Sequence, residues 1–237
     1  MSGEPRSLLL FTKPARPGRV KTRLIGDLSP EQAADLHAAF VADLLDRLRG
    51  GRFALTIAWA LDGSEGFEGE DRLPDPFGLP GVRQAGADLG ARLFAALSSA
   101  AREAETVMAL GSDHPTLPVA RVEEAFARVE AGADVVIGPA EDGGYYLIAL
   151  AARAVRQRLF EGVAWSTDSV LRTTVERCAE LGLSLELLPE ASDVDTPADL
   201  ARLAEAMAES DLGCPRTRAL LASWQRLPAR LATETRA

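Results

Sequence analysis

Short apolar runs alternate with capped helical segments along most of the chain, and this alternation constrains the fold more than any other feature. The run from Ser7 to Phe11 predicts a buried strand. It is followed by Ser29-Pro30-Glu31-Gln32, in which an N-cap serine, a proline at the first helical position and a capping-box glutamine predict a helix that ends near Arg49. Further strands are predicted at 53–60, 106–110, 134–138, 145–150 and 184–188. Further helices are predicted at 119–130, at 168–181 and from 197 onward, and one more helix is predicted to end near 103. The pattern predicts a three-layer αβα fold with a mainly parallel sheet.

Length and composition indicate one globular unit with an appendage. The chain has 237 residues, of which 47% are hydrophobic, enough to bury a substantial core. We expect residues 1–210 to form the main domain and residues 211–237 to form a basic helical extension, because five arginines accompany one acid between Gly213 and Ala237. The segment from Asp62 to Gly81 is rich in glycine, proline and acids and predicts a loop, either a lid or an insertion.

Composition argues against several classes of function. No stretch approaches the roughly 20 apolar residues of a membrane span, and the first residues lack a signal-peptide pattern, so we expect a cytoplasmic protein with no membrane partner. The formal net charge of -9 argues against a nucleic-acid partner, which needs an extended basic face. Cys178 and Cys214 have no paired spacing that suggests zinc, and we expect reduced thiols.

A basic loop follows the first predicted strand. It runs from Thr12 to Arg23, holds five cations and no acid, and contains both lysines of the chain. Open α/β sheets bind ligands at the carboxyl ends of their strands, and a positive loop in an acidic protein favours an anion, with phosphate as the leading candidate. We expect the loop cations to be exposed. The candidate phosphate-binding residues are Lys13, Arg16, Gly18, Lys21, Thr22 and Arg23.

Two other interpretations of this loop were weighed. A P-loop is rejected, because Gly18-Arg19-Val20-Lys21-Thr22 lacks a glycine just before the lysine and the four-residue spacer between glycines. A solvated basic turn with no ligand stays open.

Three aspartates predict a cation site at the same edge of the sheet. Asp113 and the pair Asp193 and Asp195 each follow a predicted strand, and residues two apart in an extended segment point the same way. Magnesium is usually held by one or two carboxylates together with substrate phosphates. The alternative is that these aspartates only cap helices and turns. Asp199 is explained by its place in the first turn of a helix and is left out of the site.

Five motifs, in order along the chain, carry a resemblance to a known family. They are Thr12-Lys13-Pro14 with Lys21-Thr22-Arg23-Leu24, Gly111-Ser112-Asp113-His114-Pro115, Asp142-Gly143-Gly144-Tyr145-Tyr146, Trp165-Ser166-Thr167 and Asp193-Val194-Asp195-Thr196-Pro197. Over about residues 7–203 the chain resembles the GT-A-type transferases labelled arsenosugar-biosynthesis glycosyltransferases or radical-SAM/selenodomain-associated transferases. Their broader relatives are the nucleotide-diphospho-sugar transferases, including molybdenum cofactor guanylyltransferase, phospholactate guanylyltransferase and CMP-KDO synthetase.

The resemblance implies a GT-A, Rossmann-like transferase domain that acts on a nucleotide or a nucleotide sugar with magnesium or manganese as cofactor. It assigns metal binding to Asp113 and Asp195, and phosphate binding to Lys13, Lys21 and Arg23. We take Lys13, Lys21 and Asp113 as the candidate catalytic residues.

The acceptor side is predicted from a glycine turn and nearby aromatic residues. The glycines would let a substrate approach the backbone and an aromatic ring would wall the acceptor, although a tight turn followed by ordinary sheet residues is the alternative. The candidate acceptor-binding residues are Gly143, Gly144, Tyr145 and Trp165. Asp88 is a further nucleotide-binding candidate that could instead pair with Arg92, and Ser166 or Thr167 is expected to cap the next helix.

The favoured hypothesis is metal-assisted transfer of a nucleotidyl group from a nucleoside triphosphate to an anionic small-molecule acceptor. The dense cationic loop favours it, because stabilising departing pyrophosphate needs more positive charge than cradling a nucleoside diphosphate. The first alternative is a glycosyltransferase that uses a nucleoside-diphosphate sugar, and the second is a nucleotide-binding protein without turnover. A homodimer is also considered.

Overall fold

The structure is a computed structural model that describes residues 5–61 and 73–226. The seven strands of this part of the chain are β1 (Arg6–Thr12), β2 (Ala54–Trp59), β3 (Gly81–Arg83), β4 (Thr106–Gly111), β5 (Val135–Pro139), β6 (Tyr145–Ala151) and β7 (Leu185–Leu187). Its six α-helices are α1 (Pro30–Leu48), α2 (Leu89–Ala100), α3 (Val119–Glu130), α4 (Val170–Glu180), α5 (Pro197–Glu209) and α6 (Pro215–Ser223).

The strands form one sheet in the order β3-β2-β1-β4-β6-β5-β7. β6 runs antiparallel to its neighbours β4 and β5, and the other neighbouring strands pair in parallel. The predicted mainly parallel sheet is therefore confirmed. In the central pair, Phe11 of β1 aligns with Gly111 of β4. The segments that follow these two strands consequently leave the same edge of the sheet.

Helices cover both faces of the sheet, which confirms the three-layer prediction. Leu8 and Leu10 of β1 pack in one buried cluster with α1 and α3, whereas Leu9 points to the opposite cluster, which includes residues of α2 and α4. Neighbouring side chains of a strand point to opposite faces. A strand buried on both faces must be apolar at every position, and this requirement explains the continuous apolar run from which β1 was predicted.

Local hydrogen bonds set the starts of α1 and α5. The Ser29 side chain accepts from the backbone N–H of Gln32, whose side chain accepts from the N–H of Ser29. Thr196 and Asp199 form the same reciprocal arrangement at α5. Both capping predictions are confirmed, including the structural role given to Asp199.

Two local predictions are wrong. No strand was predicted at Gly81–Arg83, and Gly81 was placed at the end of a loop, yet these residues form the short edge strand β3 beside β2. Three residues are too few to display alternation, so only pairing with β2 defines this strand. Residues 62–72 of the predicted loop lie outside the described residues. The start of α4 also differs, because its N-cap is Ser169 rather than Ser166 or Thr167.

The segment that includes α6 packs against α1. Leu221 of α6 and Cys214 are buried in a third cluster with Leu24 and Phe40. The buried carboxylate of Asp43 in α1 accepts hydrogen bonds from the N-terminal end of α6. Residues 227–237 of the predicted extension lie outside the described residues, and the division at residue 210 stays a prediction. Within the described ranges, no helix combines the length and the apolar character needed to cross a membrane.

Candidate functional site

A cavity of about 630 Å³ lies at the carboxyl edge of β1 and β4. It brings together candidate residues that are far apart in sequence. Those that line it are Lys13, Lys21, Thr22, Asp113, Gly144, Tyr145, Trp165, Asp193 and Asp195. Because β1 and β4 are parallel neighbours, the basic loop and Asp113 meet at one edge, as their positions after two strands indicated.

Other candidates lie outside the cavity lining. Arg16, Gly18 and Arg23 belong to the basic loop but not to the cavity wall. Asp88 is the N-cap of α2, where its Oδ1 accepts from the N–H of Ala91 at 2.8 Å. The structure therefore gives Asp88 a local structural role, and its contact with a nucleotide stays a prediction.

Gly143 also has a structural role. Its φ is +84°, and a Cβ at this position would lie 2.3 Å from the carbonyl oxygen of Asp168. Only glycine fits this turn without moving the backbone. Gly143 thus shapes the turn beside Gly144, which does line the cavity.

Lys21 is buried, contrary to the prediction that the loop cations are exposed. Its side chain is 2% exposed. The ammonium donates hydrogen bonds to Asp113 Oδ1, to Asp195 Oδ1 at 2.8 Å and to the carbonyl oxygen of Val194 at 2.9 Å. An ammonium has three N–H donors, so all three are used. The backbone of Lys21 is left-handed, with φ 46° and ψ 40°, an uncommon conformation for a residue other than glycine.

The charges of this cluster stabilise one another. Burial would lower the pKa of Lys21, but the carboxylates of Asp113 and Asp195 raise it above its ordinary value. Burial would likewise raise the pKa of Asp113, but the adjacent ammonium lowers it. The Asp113 side chain is nevertheless 44% exposed, because it faces the cavity. Lys21 and Asp113 are therefore both charged at neutral pH.

Asp193 differs from its neighbours because, among the described residues, no cation lies beside it to offset its burial. Burial and repulsion from Asp195 and Asp142 raise the pKa of Asp193 to about 6. An additional cation beside it would remove that repulsion.

Two histidines stand beside the cavity. Sequence analysis gave His37 no functional role, yet its Nε2 lies 3.1 Å from the carbonyl oxygen of Lys13 and 3.2 Å from Thr12 Oγ1. It thereby fixes the end of β1. His114 packs against the ring of Tyr146, with 5.2 Å between ring centroids. Burial lowers the pKa of both histidines, so both are neutral at pH 7.

Two aromatic side chains, those of Tyr145 and Trp165, line the cavity. Tyr145 and Trp165 meet edge to face, with ring centroids 6.3 Å apart. A Cβ on Gly90 would lie 2.6 Å from Trp165 Nε1, so glycine in the first turn of α2 lets the indole pack there. Ser166 also lines the cavity, and its φ of 64° is another left-handed backbone.

The oxygen atoms around the Lys21 ammonium are suitable ligands for a hard cation. Two carboxylate oxygens and one carbonyl oxygen converge on the Lys21 ammonium, which marks a cation position. Magnesium and manganese both accept such oxygen ligands. Among residues 5–61 and 73–226, no group of three or more His, Cys, Asp or Glu side chains is arranged to hold a metal. A metal held by Asp113 and Asp195 would therefore draw its remaining ligands from the carbonyl oxygen of Val194, from water or from substrate.

Comparison with known families gives a match over residues 44–167 to DUF2064, described as uncharacterized protein conserved in bacteria. The chain belongs to the DUF2064 family. A crystal structure from Desulfovibrio desulfuricans G20, described as a "putative nucleotide-diphospho-sugar transferase", is 33% identical to this DUF2064 protein. The match covers 94% of this chain and 96% of the other, with a TM-score of 0.84. The predicted nucleotide-diphospho-sugar transferase fold is confirmed.

More distant structures share the fold of this DUF2064 protein. A cytidylyltransferase from Leptospira borgpetersenii is 11% identical, with a TM-score of 0.55 over 98% of this chain and 100% of the other. Rv0371C from Mycobacterium tuberculosis, solved in complex with manganese, is 15% identical, with a TM-score of 0.50 over 84% and 97%. No curated protein matches the chain significantly.

Proposed function

We propose that this DUF2064 protein is a metal-dependent transferase that moves a nucleotidyl group from a nucleoside triphosphate to an anionic small-molecule acceptor. One observation carries the proposal. A cavity at the carboxyl edge of the sheet joins a basic loop to Asp113 and Asp195, whose carboxylate oxygens converge on one cation position. Cationic side chains beside a metal position are the usual means of holding a polyphosphate.

The basic loop would hold the triphosphate. Lys13, Arg19 and Thr22 line the cavity on the side of β1. Lys21 also lines the cavity, and its ammonium donates to both carboxylates. Arg16, Gly18 and Arg23, which do not line it, would act only if the loop moved toward the ligand. Sequence analysis did not single out Arg19, although its position among the loop cations was a usable signal.

Asp113 and Asp195 would hold the metal, with Asp193 as a further candidate ligand. The metal would neutralise negative charge on the phosphates and on departing pyrophosphate. This part of the proposal is supported by the oxygen donors around Lys21 and by the manganese complex of the M. tuberculosis protein.

The acceptor would lie against Gly144, Tyr145 and Trp165, which line the same cavity. An anionic oxygen of the acceptor would form a bond to the α-phosphorus as the bond from that phosphorus to the bridging oxygen breaks. Pyrophosphate would leave with the bonding electrons. An ionised acceptor needs no base to remove a proton, so the protein would act mainly by positioning and by charge neutralisation.

A second candidate is glycosyl transfer from a nucleoside-diphosphate sugar. It is favoured by the description of the D. desulfuricans relative as a nucleotide-diphospho-sugar transferase. The likeness to the families labelled arsenosugar-biosynthesis or selenodomain-associated transferases belongs to this candidate. A homodimer and a cytoplasmic location stay predictions.

Product analysis tests the proposal. The protein is incubated with magnesium, a panel of nucleoside triphosphates or sugar nucleotides, and candidate acceptors such as phosphorylated hydroxy acids and sugar acids. We expect acceptor-dependent release of pyrophosphate, reduced at least about 100-fold in Asp113→Asn. Release of a nucleoside diphosphate from a sugar nucleotide would support the second candidate. Binding without release of either product would support a nucleotide-binding protein without turnover.

A further inference from the structure

The ammonium of Lys21 occupies the point at which a metal between Asp113 and Asp195 would lie. It contacts both carboxylates and the carbonyl oxygen of Val194, and its side chain is 2% exposed. Two cations cannot share one site a few ångströms wide, because the repulsion between like charges is strong where little water screens it. The metal and the ammonium of Lys21 therefore compete for the same oxygens.

We propose that Lys21 is a built-in counter-cation that keeps the divalent metal out of the site until a polyphosphate ligand draws the ammonium away. The inference rests on the proposed function for the identity of the ligand. Its geometric basis is the set of contacts between Lys21, Asp113 and Asp195. It predicts that metal and nucleotide enter together, and that metal alone binds weakly.

Charge pairing explains why both ligands are needed. If metal alone entered, the carboxylates would gain a partner, but the Lys21 ammonium would lose two ion pairs while buried, which is costly. If a polyphosphate accompanies the metal, the ammonium exchanges carboxylate oxygens for phosphate oxygens. Every charge then keeps a partner.

The position of Lys21 in the chain suits such a movement. It lies in the basic loop, and its neighbour Thr22 lines the cavity. Its left-handed backbone, with φ 46°, is a strained conformation for a residue other than glycine. A turn of the backbone that moves the ammonium from the carboxylates toward the loop side would also relieve this strain.

The alternative is that Lys21 is only a structural partner of Asp113 and Asp195. In that case metal would not compete with it, or would not enter at all. Titration of Mn²⁺ alone, followed by electron paramagnetic resonance of the free ion, separates the two. We expect Lys21→Met to bind Mn²⁺ at least tenfold more tightly than the wild-type protein.

Lys13→Met is the matched control. It removes the other lysine of the chain, which lies in the same loop and lines the same cavity. Among residues 5–61 and 73–226, only Lys21 forms ion pairs with Asp113 and Asp195. Its Mn²⁺ affinity should stay within twofold of that of the wild-type protein. This result would show that the loss of any one positive charge does not explain the tighter Mn²⁺ binding of Lys21→Met. Equal affinity of wild type and a folded Lys21→Met would overturn the proposal, as would an equal gain in Lys13→Met.

A second measurement uses the wild-type protein and covers the case in which Lys21→Met does not fold. The chain has two lysines, so nuclear magnetic resonance of ¹⁵N-lysine-labelled protein gives two Nζ signals. MgCl₂ alone should leave the Lys21 signal in place, and MgCl₂ with inorganic tripolyphosphate should shift it. A shift with MgCl₂ alone, or none with both, would contradict the proposal. Neither experiment needs a nucleotide base or an acceptor, so a failure of nucleotidyl transfer would leave both results interpretable.

Discussion

At the scale of single residues, the balance of charge around Lys21 decides the state of the cavity. The ammonium pairs with Asp113 and Asp195, whereas in the described part of the chain no cation offsets the burial and repulsion that raise the pKa of Asp193. The charges of Lys21, Asp113 and Asp195 are thus stabilised by pairing, whereas the charge of Asp193 is destabilised by repulsion. Substitutions at these two places should consequently have opposite effects on stability.

Lys21→Ala should lower the free energy of unfolding. Breaking a buried ion pair costs about 3–5 kcal/mol, but the side chains of Asp113 and Asp195 are 44% and 30% exposed and remain partly hydrated. We therefore expect a loss of about 1–3 kcal/mol, measured by chemical denaturation in the presence of a chelator. Arg23→Ala, at an exposed position of the same loop, should change stability by less than about 0.5 kcal/mol. Equal effects of the two substitutions would mean that the buried contacts of Lys21 do not stabilise the fold.

Asp193→Asn should stabilise the protein at alkaline pH only. Burial and repulsion raise the pKa of Asp193 from 3.8 to about 6. The folded state therefore binds this proton more tightly than the unfolded state, and the stability that results is present below pH 4 and is lost as the pH rises through 6. At pH 8 we expect the variant to be more stable by about 1 kcal/mol, after allowance for partial exposure.

The measurement for Asp193→Asn is thermal unfolding at pH 4 and pH 8 in metal-free buffer. Only the difference between variant and wild type is compared, so that other titrating groups cancel. A difference of the same size at both pH values, or a less stable variant at pH 8, would show that Asp193 is not strained by its charge.

At the scale of elements, the contact between α1 and α6 depends on a buried acid. Asp43, which is 1% exposed, accepts from the backbone N–H of Arg216 at 3.0 Å and from that of Thr217 at 2.8 Å, and from Thr217 Oγ1 at 2.7 Å. Carboxylates favour the N-terminal end of a helix because free N–H groups and the helix dipole both point there. A residue of one helix thus acts as the cap of another.

Asp43→Ala should destabilise the protein by about 2 kcal/mol or more, because it removes this cap and leaves buried N–H groups without an acceptor. Asp46→Ala is the matched control, since Asp46 lies one turn further along α1 and pairs with Arg216 from an exposed position. We expect the control to lower the free energy of unfolding by less than about 0.5 kcal/mol. Comparable losses in urea denaturation of both variants would refute the capping role.

At the scale of the whole molecule, the last described helix completes a core cluster. Leu221 and Cys214 are buried against Leu24, next to the basic loop, and against Phe40 of α1. The C-terminal segment thus shields residues that follow the loop. The stability of the cavity and the presence of α6 are therefore linked.

A chain that ends at residue 210 should lose at least about 3 kcal/mol of stability or fail to fold cooperatively, because burying each large apolar side chain contributes about 1.5–3 kcal/mol. Circular dichroism during thermal unfolding measures the loss. The matched control ends at residue 226 and keeps α6. If both truncations are destabilised alike, the loss comes from residues 227–237, and the contribution assigned to α6 is wrong.

The sequence by itself determined the elements whose causes are local. The Ser29 and Thr196 caps are satisfied within three residues, and β1 was recognisable because both of its faces are buried. The order of strand, basic loop and helix placed the candidate site at one edge of the sheet. These features could be predicted because hydrogen bonds and apolar periodicity over a few residues encode them.

Only the tertiary structure decided the features that depend on distant partners. The carboxylates that pair with the buried Lys21 lie 92 and 174 residues away in sequence. The loop sequence alone therefore indicated an exposed cation. The pairing of β6 with β4 and the docking of α6 on Asp43 likewise depend on elements far along the chain. Local spacing carries no information about such contacts, because burial and charge pairing are set by what the completed fold brings together.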